Sequence, residues 1–368
     1  MKSYNHLFEK LIDDKNLETA IQNAAKHKRN RPDVAAVLEN PQLYASRVKH
    51  LLINQKYKSR VHHAVRIYDG SSKKERLIIK PKFLYDQIIQ HAIIQVLVPI
   101  INKGMYPFSC GSIPDRGCHY GKRYLEKVIK RNNNSPELKY VLKLDVRHFY
   151  QSIDTSRVKA QIAKNIHDEK MLNVIFTVLD SNKALDKGNI IDMGLPIGYY
   201  TSQWFANWFL QDLDHFIKEK LHIKYYARYV DDIVIFAKNK KELYNKYREI
   251  ELFLNTKGLS VKNNWKIYNF DYTNKQAKVV GFPIDYMGFK FYRNRTTVRK
   301  SILLKASRKA NKISKKLKVT AYDASQLLSY YGWFKHTNTY SSFEKHIRSK
   351  VNLTEMKQLI KRRSQLCA

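Results

Sequence analysis

The chain has 368 residues, of which 43% are hydrophobic, enough to bury a sizeable core in two or three subdomains. It carries 68 Lys and Arg against 32 Asp and Glu, which gives a formal net charge of +36. A surface this basic repels itself unless it meets a polyanion. Composition therefore favours a nucleic-acid-binding protein over a basic structural protein or a membrane-surface binder.

The sequence indicates a cytoplasmic protein without a membrane segment. Its first residues are polar and charged and do not resemble a signal peptide. The longest apolar stretch, Ile88 to Ile101, is interrupted by polar side chains and is too short to span a bilayer. The three cysteines, Cys110, Cys118 and Cys367, lack zinc-type spacing, so we expect reduced thiols.

In chain order, residues 1–60 are predicted to form a basic helical extension. Two strands with a turn at Asp69-Gly70 follow, then an apolar helix from Phe83 to Asn102. Residues 136–299 alternate strands and helices, as in an α/β sheet domain. Residues 300–368 are predicted to be helical and to lie along a phosphate backbone. The basic side chains expected to contact nucleic acid there are Arg308, Lys309, Lys312, Lys315 and Lys316.

Two apolar, β-prone strings deliver carboxylates at or near their ends. Residues 142–150, Leu-Lys-Leu-Asp-Val-Arg-His-Phe-Tyr, place Asp145 at the end of a strand. Residues 227–236, Ala-Arg-Tyr-Val-Asp-Asp-Ile-Val-Ile-Phe, place Asp231 and Asp232 in a tight turn between two strands. Three acids brought together would form a cage for Mg²⁺, which prefers oxygen ligands. Two such ions about 4 Å apart could clamp the oxygens of an in-line phosphoryl transfer.

Between these strings lies an irregular loop, Lys187 to Gly198, which is predicted to lead into an amphipathic helix from Thr201 to Glu219. After the second string come a helix at 240–256 and a strand pair at 284–299. Asp154 also follows an apolar residue, but Thr-Ser after it predicts a helix cap and not a catalytic acid.

In this order the motifs resemble those of reverse transcriptases across roughly residues 60–350. They are Arg76-Leu-Ile-Ile-Lys80-Pro, the Asp145 strand, the Gly-Leu-Pro-x-Gly loop, the Tyr-x-Asp-Asp hairpin and Tyr-Met-Gly-Phe-Lys at 286–290. The resemblance implies an α/β right-hand polymerase: an extension at 1–60, fingers at 61–135, a palm with a fingers segment at 136–299, and a helical thumb at 300–368. It also implies DNA synthesis from dNTPs on template RNA, an RNA/cDNA hybrid, and two Mg²⁺ ions for which Mn²⁺ substitutes.

The resemblance assigns the chemistry to Asp145, Asp231 and Asp232. Asp145 and Asp231 would bind both metal ions with the carbonyl oxygen of Val146, and Asp232 would tune the site. For the Asp-Asp pair alone, a solvated hairpin turn is the alternative.

Tyr150 falls where the family carries an aromatic sugar gate that favours deoxynucleotides, with Phe149 as the alternative. The remaining nucleotide contacts are expected at Lys74, Arg76, Arg116, Ile197, Gly198 and Gln203.

Lys266, or Lys262 in another register, is expected to protonate the leaving pyrophosphate. The primer grip, a tight turn against the primer 3′ end, is expected at Tyr286, Met287 and Gly288.

One segment is more specific. Gly194-Leu-Pro-Ile-Gly-Tyr-Tyr-Thr-Ser-Gln203 is similar to reverse transcriptases of diversity-generating retroelements, as are residues 30–34 and 331–338. Ile197 replaces the Gln of group II intron enzymes, and apolar contacts discriminate weakly between similar shapes. Tyr199-Tyr200 departs from that group's pattern.

The subgroup implies a prokaryotic enzyme that copies a template-repeat RNA with errors opposite adenine, together with a small basic pentameric accessory protein. The alternatives are an antiphage-defence or group II intron-type reverse transcriptase, and a catalytically idle RNA-binding scaffold.

Overall fold

The computed structural model describes residues 3–69, 74–274 and 276–366. Within them the chain is a mixed α/β protein. The strands are β1 (His62–Asp69), β2 (Lys74–Ile79), β3 (Ser109–Cys110), β4 (Tyr140–Asp145), β5 (Lys183–Asp186), β6 (Asn189–Asp192), β7 (Tyr226–Tyr229), β8 (Asp232–Ala237), β9 (Lys266–Asn269), β10 (Tyr272–Thr273), β11 (Val279–Val280), β12 (Ile284–Tyr286), β13 (Phe289–Phe291) and β14 (Thr296–Val298).

The helices run through the whole chain. They are α1 (Leu7–Leu11), α2 (Asp14–Ala25), α3 (Pro32–Glu39), α4 (Pro41–Ile53), α5 (Ile88–Lys103), α6 (Cys118–Arg131), α7 (Phe149–Ser152), α8 (Thr155–Ala163), α9 (Glu169–Asp180), α10 (Tyr200–Phe209), α11 (Gln211–His215), α12 (Lys240–Thr256), α13 (Lys300–Ser314), α14 (Ala321–Phe334), α15 (Tyr340–His346) and α16 (Leu353–Leu366).

The chain divides into two compact units built from interleaved segments. The first unit contains Met1–Pro114, Leu144–His222 and Lys246–Trp265. The second contains Asp115–Lys143, Ile223–Asn245 and Lys266–Ala368. The boundaries predicted at residues 60, 135 and 299 stay predictions.

The first unit is built around α5, which packs against α2 and α10. Four strands form a sheet in the order β2-β1-β5-β6, in which β1 and β5 are parallel. Among the described residues, Phe83–Lys103 is long and apolar enough to cross a membrane, but 50% of its apolar window is buried in the structure. Core helices pass the same test, so this stretch is weak evidence for a membrane span.

The second unit contains strands of three sheets. One includes the strands β7, β8, β4 and β9 as consecutive neighbours, and β4 passes into the first unit after Lys143. The others are the two-stranded antiparallel sheet β10-β11 and the antiparallel sheet β12-β13-β14. Helix α13 buries Ala306, Ala310 and Ile313, a spacing that puts all three on one face. That face joins a hydrophobic cluster with residues of β12 to β14 and of the helices that follow.

Several predicted elements are confirmed. The hairpin of β7 and β8 carries the Asp-Asp pair, and Asp154 caps α8 by accepting a 2.8 Å hydrogen bond from the Ser156 N–H. One expectation was wrong. The loop predicted from Lys187 contains β6, because its apolar residues pair with β5. The helix predicted over Thr201 to Glu219 is confirmed with interruptions: α10 ends at Phe209, α11 follows from Gln211 to His215, and the last turn, Phe216–Lys220, is π-helical.

Asp323 ties α13 to α14. Its carboxylate is 4% exposed, and it accepts hydrogen bonds from the ammonium groups of Lys309 (3.1 Å) and Lys316 (2.6 Å). It also forms a capping box with Thr320 at the start of α14. The Lys316 ammonium first, then the Thr320 hydroxyl and Lys309, hold the pKa of Asp323 well below its ordinary value.

We expect Asp323→Asn to lower the melting temperature by about 2–4 °C, because two ammonium groups lose their counter-charge and the cap weakens. Thermal unfolding followed by circular dichroism at pH 7 checks this, with Lys312→Ala on the exposed side of α13 as control. A depressed pKa means that the wild-type contribution is present above about pH 3.9 and is lost only as the pH falls further. Equal melting temperatures of Asp323→Asn and the wild type at pH 7 would contradict this role.

Candidate active site

The turn between β7 and β8 presents two adjacent carboxylates. Tyr229 pairs with Asp232 across the hairpin, so the turn consists of Val230 and Asp231 alone. Val230 has a φ of 59°, a strained value for a β-branched residue. The guanidinium of Arg228, which is fully buried, donates a 3.0 Å hydrogen bond to the Val230 carbonyl. The buried Arg228 side chain therefore holds the backbone of this turn, whereas the side chains of Asp231 and Asp232 are half-buried.

Asp232 is tied to the β12–β13 hairpin of the same unit. The Lys143 ammonium lies 3.5 Å from its carboxylate and donates a hydrogen bond to the Asp285 carbonyl. The Tyr286 hydroxyl donates to the Asp232 carbonyl at 2.9 Å. One ammonium and one phenol thus link the acid to the predicted primer grip.

Asp145, in the first unit, has a partner of its own. The Lys262 ammonium lies 2.6 Å from its carboxylate, and the Lys262 N–H donates to its carbonyl at 2.8 Å. Val146 forms an antiparallel bridge with Val261. Because the hydrogen bonds flanking this bridge belong to the neighbours of Val146, its own carbonyl points away from the Val261 segment.

In each unit, separately, these oxygens are of the type that binds a divalent cation. Two carboxylates, of Asp145 and Asp232, are 30% and 25% exposed, and each already contacts a positively charged ammonium. Carboxylate and carbonyl oxygens are the ligands that Mg²⁺ prefers. Within residues 3–69, 74–274 and 276–366, however, no three His, Cys, Asp or Glu side chains are gathered into a metal-binding group. The assignment of these residues to a metal ion therefore rests on the chemical type of their oxygen atoms.

The Gly194 loop docks on the backbone beside Tyr150. The Leu195 N–H donates a 2.8 Å hydrogen bond to the Tyr150 carbonyl. A Cβ on Gly194, whose φ is 58°, would lie 2.5 Å from that carbonyl oxygen, so only glycine allows this approach. Phe149 is buried at 3% exposure whereas Tyr150 is half-buried, so Tyr150 is the accessible ring of the pair.

Ile197 and Gly198 lie against strand β2. The Ile79 N–H donates a 2.9 Å hydrogen bond to the Ile197 carbonyl. Gly198 has a φ of 111°, and a Cβ there would stand 2.0 Å from the Ile79 carbonyl oxygen. The loop therefore follows β2 at backbone contact distance, and the half-buried Ile197 side chain has its backbone anchored.

A cavity of about 1000 Å³ in the first unit extends from this loop. Gly198 and Gln203 line it beside the stacked rings of His91 and Tyr200, whose centroids are 3.8 Å apart. Burial lowers the pKa of His91 to about 4, so this ring is neutral at pH 7. The cationic residues around the cavity are Lys28, Arg31, Arg60, Lys80 and Lys82. Such a lining suits a phosphate-bearing ligand.

The other residues predicted to contact the nucleotide are Arg76, Lys74 and Arg116, of which Arg76 and Arg116 do not line this cavity. Arg76 is exposed on β2, opposite Ile67 of β1. Lys74 begins β2, but its side chain lies outside the described residues. Arg116, in the second unit, is half-buried in the loop before α6.

The two candidate lysines for proton donation have different surroundings. Lys266 is exposed, and its ammonium lies over the Tyr268 ring at 5.5 Å. The Lys262 ammonium contacts the Asp145 carboxylate instead. Of the two, Lys262 is placed beside a candidate catalytic group.

The predicted primer grip is a tight two-residue turn in the second unit. Tyr286 pairs with Phe289, and Met287 and Gly288 between them have φ values of 51° and 85°. A Cβ on Gly288 would lie 2.5 Å from the Trp333 ring, so close packing requires glycine at this position.

The five basic residues predicted to contact nucleic acid lie on α13 or directly after its end at Ser314, and they divide into two groups. Lys309 and Lys316 hold Asp323, so part of their charge is used within the protein. Arg308, Lys312 and Lys315 are exposed; the first two share one face of α13, and Lys315 is its C-cap. These three remain the candidates for phosphate contacts.

Sequence reasoning missed Lys143 and Arg228. Both alternate with apolar residues on strands that lead to the candidate acids. The sequence signal for both is a basic residue two or three positions before a candidate acid. From sequence alone, such a residue cannot be distinguished from a strand residue that faces solvent.

We expect Gly198→Ala to destabilise the protein more than Gly188→Ala. Both glycines have positive φ, 111° and 86°, so an alanine at either position costs about 1–2 kcal/mol. Only Gly198 faces a backbone oxygen, whereas nothing lies within 4 Å of a Cβ on Gly188. Urea unfolding should show a further loss of about 1–3 kcal/mol for Gly198→Ala. Equal losses would show that the approach to β2 is not needed.

The comparison with known proteins identifies the family of the chain. The family model for reverse transcriptase (RNA-dependent DNA polymerase) matches residues 67–290, more than half of the chain. No curated protein matches the chain significantly. Reverse transcriptases bind template nucleic acid and dNTPs and generally use divalent metal ions such as Mg²⁺. The chain belongs to the reverse transcriptase family and is an RNA-directed DNA polymerase.

Proposed function

We propose that this enzyme makes error-prone, adenine-mutagenic cDNA from the template-repeat RNA of a diversity-generating retroelement, in a prokaryotic cytoplasm. The observation that carries the proposal is Ile197. Its backbone is anchored to β2 through the 2.9 Å hydrogen bond to Ile79, and it stands where a group II intron enzyme has Gln. An apolar side chain there offers contact area to the nascent base pair but no hydrogen bond, so it discriminates weakly.

In this proposal Asp145, Asp231 and the Val146 carbonyl hold Mg²⁺, and Asp232 tunes the site. When bound, the metal ions supply positive charge to the transferring phosphate. The primer 3′-hydroxyl attacks the α-phosphate of the dNTP, and the leaving pyrophosphate takes a proton from Lys266 or Lys262. The contact of Lys262 with Asp145 favours Lys262 in that role.

The remaining side chains bind substrates. Tyr150 packs under the deoxyribose and leaves no room for a 2′-hydroxyl. Arg76, Lys74 and Arg116 bind phosphates, and Gln203 adds a polar contact. Tyr286, Met287 and Gly288 form the primer grip. The basic cavity beside Gly198 accommodates phosphate-bearing nucleotides.

We place fingers at 61–135, the palm at 136–299 and the thumb at 300–368. The exposed side chains of Arg308, Lys312 and Lys315 contact the RNA/cDNA hybrid. The formal charge of +36 on the chain favours binding of this polyanion. The retroelement assignment also implies a small basic pentameric accessory protein as a partner.

We expect Asp145→Asn, Asp231→Asn or Asp232→Asn to reduce cDNA synthesis by orders of magnitude while RNA binding stays within about twofold, because a metal ligand is lost and the basic surface is kept. Primer extension on poly(rA)/oligo(dT) with Mg²⁺ measures the first effect and fluorescence anisotropy the second. The control is Asp154→Asn, which removes the same carboxylate charge from a residue that caps a helix. Near wild-type synthesis in the three variants would refute the catalytic assignment.

The wild-type enzyme should misincorporate opposite template adenine far more often than opposite other bases. Ile197→Gln should lower that error about fivefold, the effect of one hydrogen bond of roughly 1 kcal/mol. Steady-state incorporation of each dNTP opposite each template base is the measurement. Ile197→Leu is the matched apolar control and should keep the wild-type error. Uniformly low error in the wild type would remove the retroelement assignment and leave a generic reverse transcriptase.

A further inference from the structure

We propose that the second unit carries a separate binding site for unpaired nucleotides, in a cleft formed on both sides of the turn Tyr292–Arg295. This turn joins β13 to β14. Cavities of about 600 and 500 Å³ lie on its two sides, and both are lined by all four residues of the turn and by Asn133. We call the two cavities together the Tyr292 cleft.

Arg293 gives the cleft a fixed floor. Its guanidinium donates to the carbonyls of Asn133 and, at 2.9 Å, of Leu138, so it ties the loop before β4 to the turn. Its backbone N–H donates to the Asp271 carboxylate at 3.2 Å, and its guanidinium lies over the Phe270 ring at 5.0 Å. The cleft is therefore formed before any ligand arrives, which lowers the entropic cost of binding.

The charge of the cleft is positive. Four cationic residues line the two cavities, against two carboxylates that already have partners within the protein. Glu126 pairs with Lys122 at 2.8 Å, and Asp271 accepts the Arg293 N–H. The cations are Lys130, Lys139, Arg293 and Arg295. An anion entering the cleft thus meets cations and no unpartnered acid among the described lining residues.

The cleft also offers flat rings and amides. The Arg295 guanidinium lies 4.2 Å from the centre of the Tyr292 ring, and Tyr272 lines the larger cavity. Side-chain amides of Asn133, Asn134 and Asn294 stand on the exposed rim. Guanidinium and aromatic planes stack on bases, and amides hydrogen-bond to base edges that are exposed only in unpaired strands. Phosphate-binding cations, stacking planes and amides together select a nucleotide strand over an acidic protein segment, which would need no stacking platform.

The cleft is separate from the candidate catalytic turn. In the sheet β12-β13-β14, Tyr286 at the β12–β13 turn contacts Asp232, and the Tyr292 cleft lies at the β13–β14 turn. Two consecutive turns of an antiparallel sheet lie at opposite ends of the strand between them. The separation along β13 is on the order of 10 Å or more. A strand bound here is held by the polymerase without occupying the Asp232 side of the sheet.

The test compares two double charge reversals in the full-length enzyme. Lys139→Glu/Arg295→Glu changes the cleft, and Lys240→Glu/Lys241→Glu makes the same charge change at exposed lysines at the start of α12. Binding of labelled single-stranded RNA and DNA 20-mers is measured by anisotropy at 150 mM salt, and 4-thiouridine or 4-thiothymidine in the 20-mers maps the contact by photo-crosslinking.

We expect the cleft variant to bind about tenfold more weakly than the control variant. Its crosslink to peptides containing Tyr272 or Tyr292 should also be lost. Extension of oligo(dT) on poly(rA) should stay at the control's level, which separates this site from the proposed catalytic function. An effect on the RNA alone assigns the cleft to template, and an effect on the DNA alone assigns it to the cDNA strand. Equal binding by both variants overturns the proposal and leaves the cleft to a protein partner.

Discussion

The repulsion between the two adjacent carboxylates of Asp231 and Asp232 is the constraint on which the catalytic turn depends. Asp231 in the two-residue turn is adjacent to Asp232, which begins β8, and Asp145 ends β4. Such charges accumulate only where cations neutralise them. Lys262 supplies an ammonium group at Asp145, and Lys143 supplies one at Asp232. A half-buried carboxylate that is paired with a lysine ammonium can be kept in the folded chain. It also remains accessible to a divalent cation, which carries more charge than the ammonium.

Close backbone contacts then position the substrate-binding side chains. Gly194 and Gly198 bring their loop to within contact of the Tyr150 and Ile79 carbonyls, distances that no Cβ would allow. A hydrogen bond from the Ile79 N–H fixes Ile197, and another from Leu195 fixes the backbone of Tyr150. The backbones of the candidate sugar gate and of the candidate fidelity residue are therefore both held by contacts of the Gly194–Gly198 loop in the first unit.

Local pattern predicted the elements that carry chemistry. The alternation of apolar residues around Asp231 and Asp232 located the hairpin, and Thr-Ser after Asp154 located a helix cap. Partners distant in sequence were not predictable. Lys309 and Lys316 look like phosphate-binding residues on a basic helix, but they hold the buried Asp323 of the next helix. The contact of Lys143 with Asp232 and the Tyr292 cleft were not predictable either, because each depends on strand pairing that brings separate segments together.

Counting bound metal ions tests the central claim most directly, namely that Asp145, Asp231 and Asp232 together hold the catalytic cations. Electron paramagnetic resonance of Mn²⁺ would be recorded with the enzyme bound to poly(rA), a 3′-dideoxy-terminated oligo(dT) primer and dTTP. The account predicts two tightly bound ions in the wild type and at most one in Asp145→Asn, because both ions share that carboxylate. The same number of tightly bound ions in both proteins would contradict it.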